Sequence, residues 1–121
     1  MSGYIRLGNF NRGMLPDAAP EPGEVTIAMD RSHPVLGNRH ILRNANDPME
    51  RARVIAAYRA DMEADFATDG PMSRAVRELA QRVAAGEKIV GMCHCAPRPC
   101  HVEVIIERVI ASLATQATNA T

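Results

Sequence analysis

Cys93, His94, Cys95, Cys100 and His101 fall within one short run, Cys93-His94-Cys95-Ala96-Pro97-Arg98-Pro99-Cys100-His101, which holds all three cysteines and two of the four histidines of the chain. Thiols and imidazoles titrate near neutrality, act as nucleophiles and bases, and bind soft metals. Three chemistries are open to such a cluster. In the first, Cys93 and Cys95 share one face of a strand, the chain turns at Ala96-Pro97, and Cys100 and His101 complete a zinc ligand set. The Cys-x-Cys spacing departs from the paired knuckles of common zinc modules, so no metal or other cofactor is assigned.

In the second, Cys100 and His101 open a helix, where free backbone N–H groups and the positive dipole end favour an anion and lower a thiol's pKa. Cys100 and His101 are then the candidate catalytic pair. Cys95 lines the pocket, and Arg98 grips a phosphate or carboxylate with its planar fork. No cysteine is followed by an arginine after five intervening residues, which disfavours a cysteinyl-phosphate mechanism. In the third reading the cysteines are small apolar core residues and His101 caps a helix or packs on the sheet. Cys93, deepest in the strand, fits that reading best.

The elements that must position this run follow from the surrounding pattern. Ile89-Val90-Gly91-Met92 reads as a buried strand before it, and Val102, Ile105, Ile106, Val109, Ile110 and Leu113 mark a helix after it. Strand, loop and helix start is where α/β proteins place ligands. Upstream, Tyr4 to Leu7 and Val25 to Met29 read as strands, joined by a Pro/Gly/Ala-rich connection from Gly13 to Gly23. Asp30 to Asn46 follows neither period and is predicted as a long surface loop. Asp47-Pro48-Met49-Glu50 supplies an N-cap, a proline at the first helical position and a capping-box acid. Ile55, Tyr58, Met62 and Phe66, with Val54 beside them, form the apolar face of the helix that starts there. A second helix begins after Thr68-Asp69-Gly70-Pro71, with Met72, Val76, Leu79, Ala80 and Val83 as its stripe and Gly86 as its stop. Residues 115–121 are predicted to fray. The expected fold is a single α/β domain over 1–121 with three main helices.

Composition narrows the function classes. Fourteen Lys and Arg balance fourteen Asp and Glu, and aromatics make up 3% of the chain, so neither a basic stripe nor a stacking platform for long nucleic acid is present. Met1-Ser2-Gly3-Tyr4 carries no apolar leader, and no run is long enough to span a bilayer, so a cytoplasmic protein without membrane association is expected. Three cysteines in such a chain are thiols or metal ligands before they are a disulfide framework.

Strand, Cys-x-Cys, a proline-containing turn and Cys-His at a helix start resemble the domain of unknown function 4326 family, small proteins of phages and bacteria. The resemblance extends upstream through Arg31, Gly37-Asn38, Arg51 and Tyr58, and covers Val25 to Leu113. Arg39 stands where the family has proline, His94 where an aromatic residue separates the cysteines, and Val102-Glu103 where Gly-Asp follows Cys-His. The resemblance implies an α/β sandwich with a small, mostly parallel sheet flanked by the three helices and with ligand loops at the carboxyl ends of its strands. The pattern and the chemistry together select Arg31, Asn38, Arg51, Cys95, Cys100 and His101. Two guanidinium groups, a carboxamide and a helix N-terminus suit an anionic, nucleotide-like small molecule. The bland alternatives are surface ion pairs for the arginines, a simple turn at Gly37-Asn38 and a core role for Tyr58.

Two function classes stay open. One is binding, and even processing, of a nucleotide-derived metabolite; the other is a phage-type inhibitory or sequestering protein acting on a host protein or a nucleotide signal. A small structural zinc domain is the third course. Catalysis needs a supported base, and the acids adjoining the selected site residues in sequence are Glu103, beside His101, and Asp30, beside Arg31. Enzymatic activity and homo-oligomerisation are therefore left open.

Overall fold

The computed structural model of the chain describes residues 3–9, 21–29, 33–38, 40, 47–93 and 101–119. Three strands, β1 (Tyr4–Asn9), β2 (Val25–Ala28) and β3 (Lys88–Cys93), and three helices, α1 (Pro48–Ala67), α2 (Pro71–Ala84) and α3 (His101–Asn119), succeed one another as β1-β2-α1-α2-β3-α3. The strands form a parallel sheet in the order β1-β3-β2. The fold is α/β, as the sequence predicts. The central strand is the Ile89-Val90-Gly91-Met92 run, and its unbroken apolar character has a direct cause. Both of its faces are covered: Ile89, Val90, Gly91 and Met92 are all buried.

The register assigns the faces. Ile5 pairs with Ile89 and Leu7 with Gly91 on one side, and Val25 pairs with Ile89 and Ile27 with Gly91 on the other. Ile5, Leu7, Ile27 and Ile89 therefore project into the helical layer, where they meet Tyr58, Met62, Val76, Leu79, Val102, Ile105 and Val109 in one core. A Cβ on Gly91 would lie 2.8 Å from the Met29 sulfur and 3.0 Å from a Val102 methyl. Gly91 thus lets the start of α3 sit directly on the sheet.

On the opposite face Arg6 of β1 reaches past the central strand to Glu24, which leads into β2. Its Nε and Nη2 donate to the two carboxylate oxygens at 2.8 and 2.7 Å, and the Tyr4 hydroxyl donates to the same group. The Glu24 side chain is 2% exposed. The Arg6 guanidinium, helped by the Tyr4 hydroxyl, holds its carboxyl well below the usual range, at about 2. A depressed acid stabilises the fold above its unfolded pKa, so this contribution is complete above about pH 4.5 and is lost as pH falls towards 2.

Two boundaries differ from the sequence reading. The buried stripe of α1 is Arg51, Val54, Tyr58 and Met62, with Ile55 and Phe66 at its margins, so the helix is rotated to bring a charged residue inward. The last helix runs on to Asn119 rather than ending near Leu113. Alanine, the best helix former, recurs through the added turns and favours the extension.

Candidate functional site

Helix starts in this protein are closed in different ways. At α1 the Asp47 carboxylate accepts from the Met49 and Glu50 amides at 3.0 and 3.4 Å. At α2 the cap comes from outside the helix: Asp65 of α1 accepts from the Met72 amide at 3.1 Å and the Ser73 amide at 2.7 Å. Gly70 stands at the N-cap because a Cβ there would press on that carboxylate. At α3 the first residue is His101, 7% exposed, whose Nε2 lies 2.6 Å from the Met29 carbonyl. A carbonyl only accepts, so Nε2 carries a proton.

Met29 directly follows β2, and its own amide donates to the Met92 carbonyl of β3 at 2.9 Å. His101 is therefore fixed at the carboxyl edge of the parallel sheet, the position where open α/β folds bind ligands. Its ring meets Tyr58 edge to face, with centroids 5.0 Å apart. The Tyr58 hydroxyl donates to the Leu36 carbonyl at 2.7 Å, tying α1 to the turn at 33–38. Within that turn His33 Nδ1 accepts from the Val35 and Leu36 amides at 3.1 and 2.9 Å, and burial lowers the pKa of its imidazole.

Asn38 ends the same turn and is buried. Its Oδ1 accepts the His40 amide at 2.9 Å, an Asx turn. Arg51 sits in the first turn of α1, two turns before Tyr58 on the same inward stripe, and is 6% exposed. A rise of 1.5 Å per residue separates the two by about 10 Å along the helix. Arginine is almost never buried unless compensated, and Asn38, Arg51 and His101 each have partners. Among the described residues every buried side-chain nitrogen and oxygen is satisfied.

Of the residues selected from the sequence, His101 lies against Tyr58, Asn38 ends the turn that the Tyr58 hydroxyl holds, and Arg51 is buried on the same helix two turns before Tyr58. Arg31, Cys95, Arg98 and Cys100 lie outside the described residues, as does the side chain of Cys93, whose backbone closes β3. Among the described residues no group of three or more His, Cys, Asp or Glu side chains could hold a metal ion. His101 is the one candidate zinc ligand whose side chain is described, and with Nε2 on Met29 it could ligate only through Nδ1. At the Val102-Glu103 departure, Val102 is fully buried beside Gly91, and Glu103 faces the shallow groove between α1 and α3 with Arg59 and Glu107.

Sequence reasoning missed one pair. His40 Nε2 lies 2.6 Å from Asp61 Oδ2, joining the loop to the middle of α1. Asp61 follows Tyr58 by three positions and so stands beside the buried stripe. That spacing was visible, but nothing local to His40 pointed to it.

The fold and this edge define an α/β protein with a buried histidine fixed at the carboxyl ends of its strands. The chain belongs to the domain of unknown function 4326 family, whose pattern matches residues 17–111, beginning before the Val25 start read from the motifs. No curated protein and no solved structure matches it. No helix among the described residues is long and apolar enough to cross a membrane.

Proposed function

We propose that the chain binds an anionic, nucleotide-derived small molecule at the carboxyl edge of its sheet, with Arg51, Asn38 and the start of α3 as the fixed part of the site. The observation that carries this reading is the identity of the buried polar side chains. The described residues hold four, Asn38, Arg51, Ser73 and His101. Ser73 is accounted for by its hydrogen bonds to Asp69 and the Gly70 carbonyl. The other three are those that family pattern and anion chemistry select together.

Each is a group of the kind that anion sites employ. Arg51 carries a planar fork, whose geometry matches paired phosphate oxygens. Asn38, with Oδ1 accepting the His40 amide, sets a carboxamide at the end of the 33–38 turn. The N-terminal amides of α3 add the positive end of a long helix. In this reading Arg31, Arg98 and Cys95 complete the pocket from the neighbouring loops, and Cys100 and His101 lie against the anion. His101 already donates through Nε2, so any proton it exchanges with a ligand passes through Nδ1.

Calorimetric titration with inorganic pyrophosphate and a panel of mono-, di- and cyclic nucleotides tests the proposal. Arg51→Lys keeps the charge and stem but removes the fork, and is expected to weaken binding about tenfold, the worth of one charge-assisted hydrogen bond. Cys100→Ser is expected to leave affinity nearly unchanged, because the helix amides remain. Absence of heat with every ligand would replace this reading with a protein-binding, inhibitory module.

A further inference from the structure

A cleft of about 350 Å³ opens between the 33–38 turn and the facing parts of α1 and α2. Val35, Tyr58, Ala64, Pro71 and Met72 give it apolar walls, and Gly37 lines its loop side. Its volume falls in the range of small-molecule pockets. Two carboxylates also line it, and they are not equivalent. Asp65 has both oxygens committed to the α2 amides. Asp61 gives one oxygen to His40, and its side chain is 52% exposed.

We propose that this cleft receives the nucleoside end of the ligand, with Asp61 accepting hydrogen bonds from the ribose hydroxyls. The inference rests on the anion-site reading above and orients the ligand within it. An ionised carboxylate is acceptor-only with four lone-pair positions, so Asp61 can hold His40 and still accept from two adjacent hydroxyls. A vicinal diol presents two such donors side by side, and the apolar walls suit the flat base beyond it. A phosphate is repelled here by Asp61 and Asp65, whereas Arg51 at the other end of the inward stripe attracts it. Tyr58 joins the two halves: it lines the cleft, and its ring lies against His101 at the sheet edge. The His40 contact fixes the Asp61 carboxylate in place, so the acceptor is set before the ligand arrives.

The test uses the intact, isotope-labelled chain and amide chemical-shift mapping with three probes: adenosine, 2′,3′-dideoxyadenosine and inorganic pyrophosphate. Adenosine is expected to shift Val35, Gly37, Ala64 and Met72, with the dideoxy compound binding roughly tenfold more weakly for the loss of two hydrogen bonds. Asp61→Asn is expected to erase that preference while pyrophosphate still shifts residues around Arg51 and His101. Equal binding of the two nucleosides would overturn the proposal, as would an unchanged preference in Asp61→Asn. If pyrophosphate binds and adenosine does not, the cleft assignment alone fails. If pyrophosphate shifts nothing, the anion site itself fails.

Discussion

The starts of α2 and α3 both hold a buried polar side chain, yet the chain treats them oppositely. At α2 the whole arrangement is internal. Asp65 accepts two amides, Asp69 accepts the Ser73 hydroxyl, and Arg77 donates to Asp69 from the next turn. Asp69 adopts φ +52°, a left-handed conformation that aspartate tolerates better than most residues. A helix end so closed has no vacancy for a ligand anion, because its own carboxylates occupy that place. At α3 the first side chain turns to the backbone that follows a neighbouring strand, and its ring meets Tyr58 from a helix far away in sequence. Buried polarity at the one helix start holds α1 to α2. At the other it ties α3 to the end of β2 and, through Tyr58, to α1 and the 33–38 turn.

The largest test of that contrast falls on Tyr58, the residue that joins those segments. Tyr58→Ala removes a 2% exposed aromatic side chain from the core and is expected to cost about 3–5 kcal/mol in chemical unfolding. Tyr58→Phe keeps the ring against His101 and leaves the Leu36 carbonyl without its donor, for about 1–3 kcal/mol. If Tyr58→Phe also weakens pyrophosphate binding, the 33–38 turn and the anion site share one scaffold. Unaltered stability in Tyr58→Phe would show that the hydroxyl does not hold the turn.

Asp65→Ala attacks the other helix start. Loss of the cap is expected to lower stability by about 1–2 kcal/mol without changing pyrophosphate affinity. Hydrogen exchange localises the effect, with the Met72 and Ser73 amides losing protection first. A large loss of anion binding in this variant would break the comparison, since it would make the α2 start part of the same site.

The sequence announces what is periodic and local. The separate strands, the Asp47 cap, the α2 stripe and the Cys-His helix start could all be read from spacing, because each depends on residues within a few positions of one another, whereas the parallel pairing joins segments far apart in sequence and was expected from the family resemblance. The inward turn of Arg51 could not, since a charged residue at the margin of an apolar stripe reads as exposed until its neighbours in space are known. The Asp65 cap was hidden for a similar reason: it reaches across the Thr68-Asp69-Gly70 corner, and a glycine N-cap gives no sign of a side chain supplied from the preceding helix. His40 and Asp61 are joined only by the fold. Asn38 and His101 were legible as positions, while the bonds that fix them, to the His40 amide and the Met29 carbonyl, depend on tertiary approach.

A smaller effect is expected at His33, which sharpens how the sheet edge responds to pH. Two amides point at Nδ1, so the ring must stay unprotonated there, and burial lowers its pKa. A base with a depressed folded pKa binds fewer protons folded than unfolded. Its contribution is thus complete above about pH 6.5, the ordinary imidazole value, and fades as pH falls. The window lies above that of Glu24, so unfolding measured between pH 7.5 and 5 separates the two. His33→Asn keeps an acceptor for the turn and removes the titration, and should flatten the profile. A slope that survives the substitution would assign the dependence to another group.

The smallest effect is expected from the ion pair that spans α1 and α3, and its smallness matters to the comparison. Arg59 donates to Glu107 at 2.5 Å, yet their side chains are 45% and 56% exposed. The Arg59 guanidinium lowers the Glu107 pKa, but solvent screening and the ordering of two long side chains offset most of the attraction. Arg59→Ala is therefore expected to cost no more than about 1 kcal/mol, and less as salt is raised. The helices already meet through the buried core that includes Tyr58, Met62, Ile105 and Val109, which salt does not screen. Thermal unfolding in low and high salt checks this directly. A loss of several kcal/mol would mean that α3 is held against α1 by surface charge rather than by the core, and the sheet edge would then depend on ionic strength in a way that the burial of Arg51, Asn38 and His101 does not require.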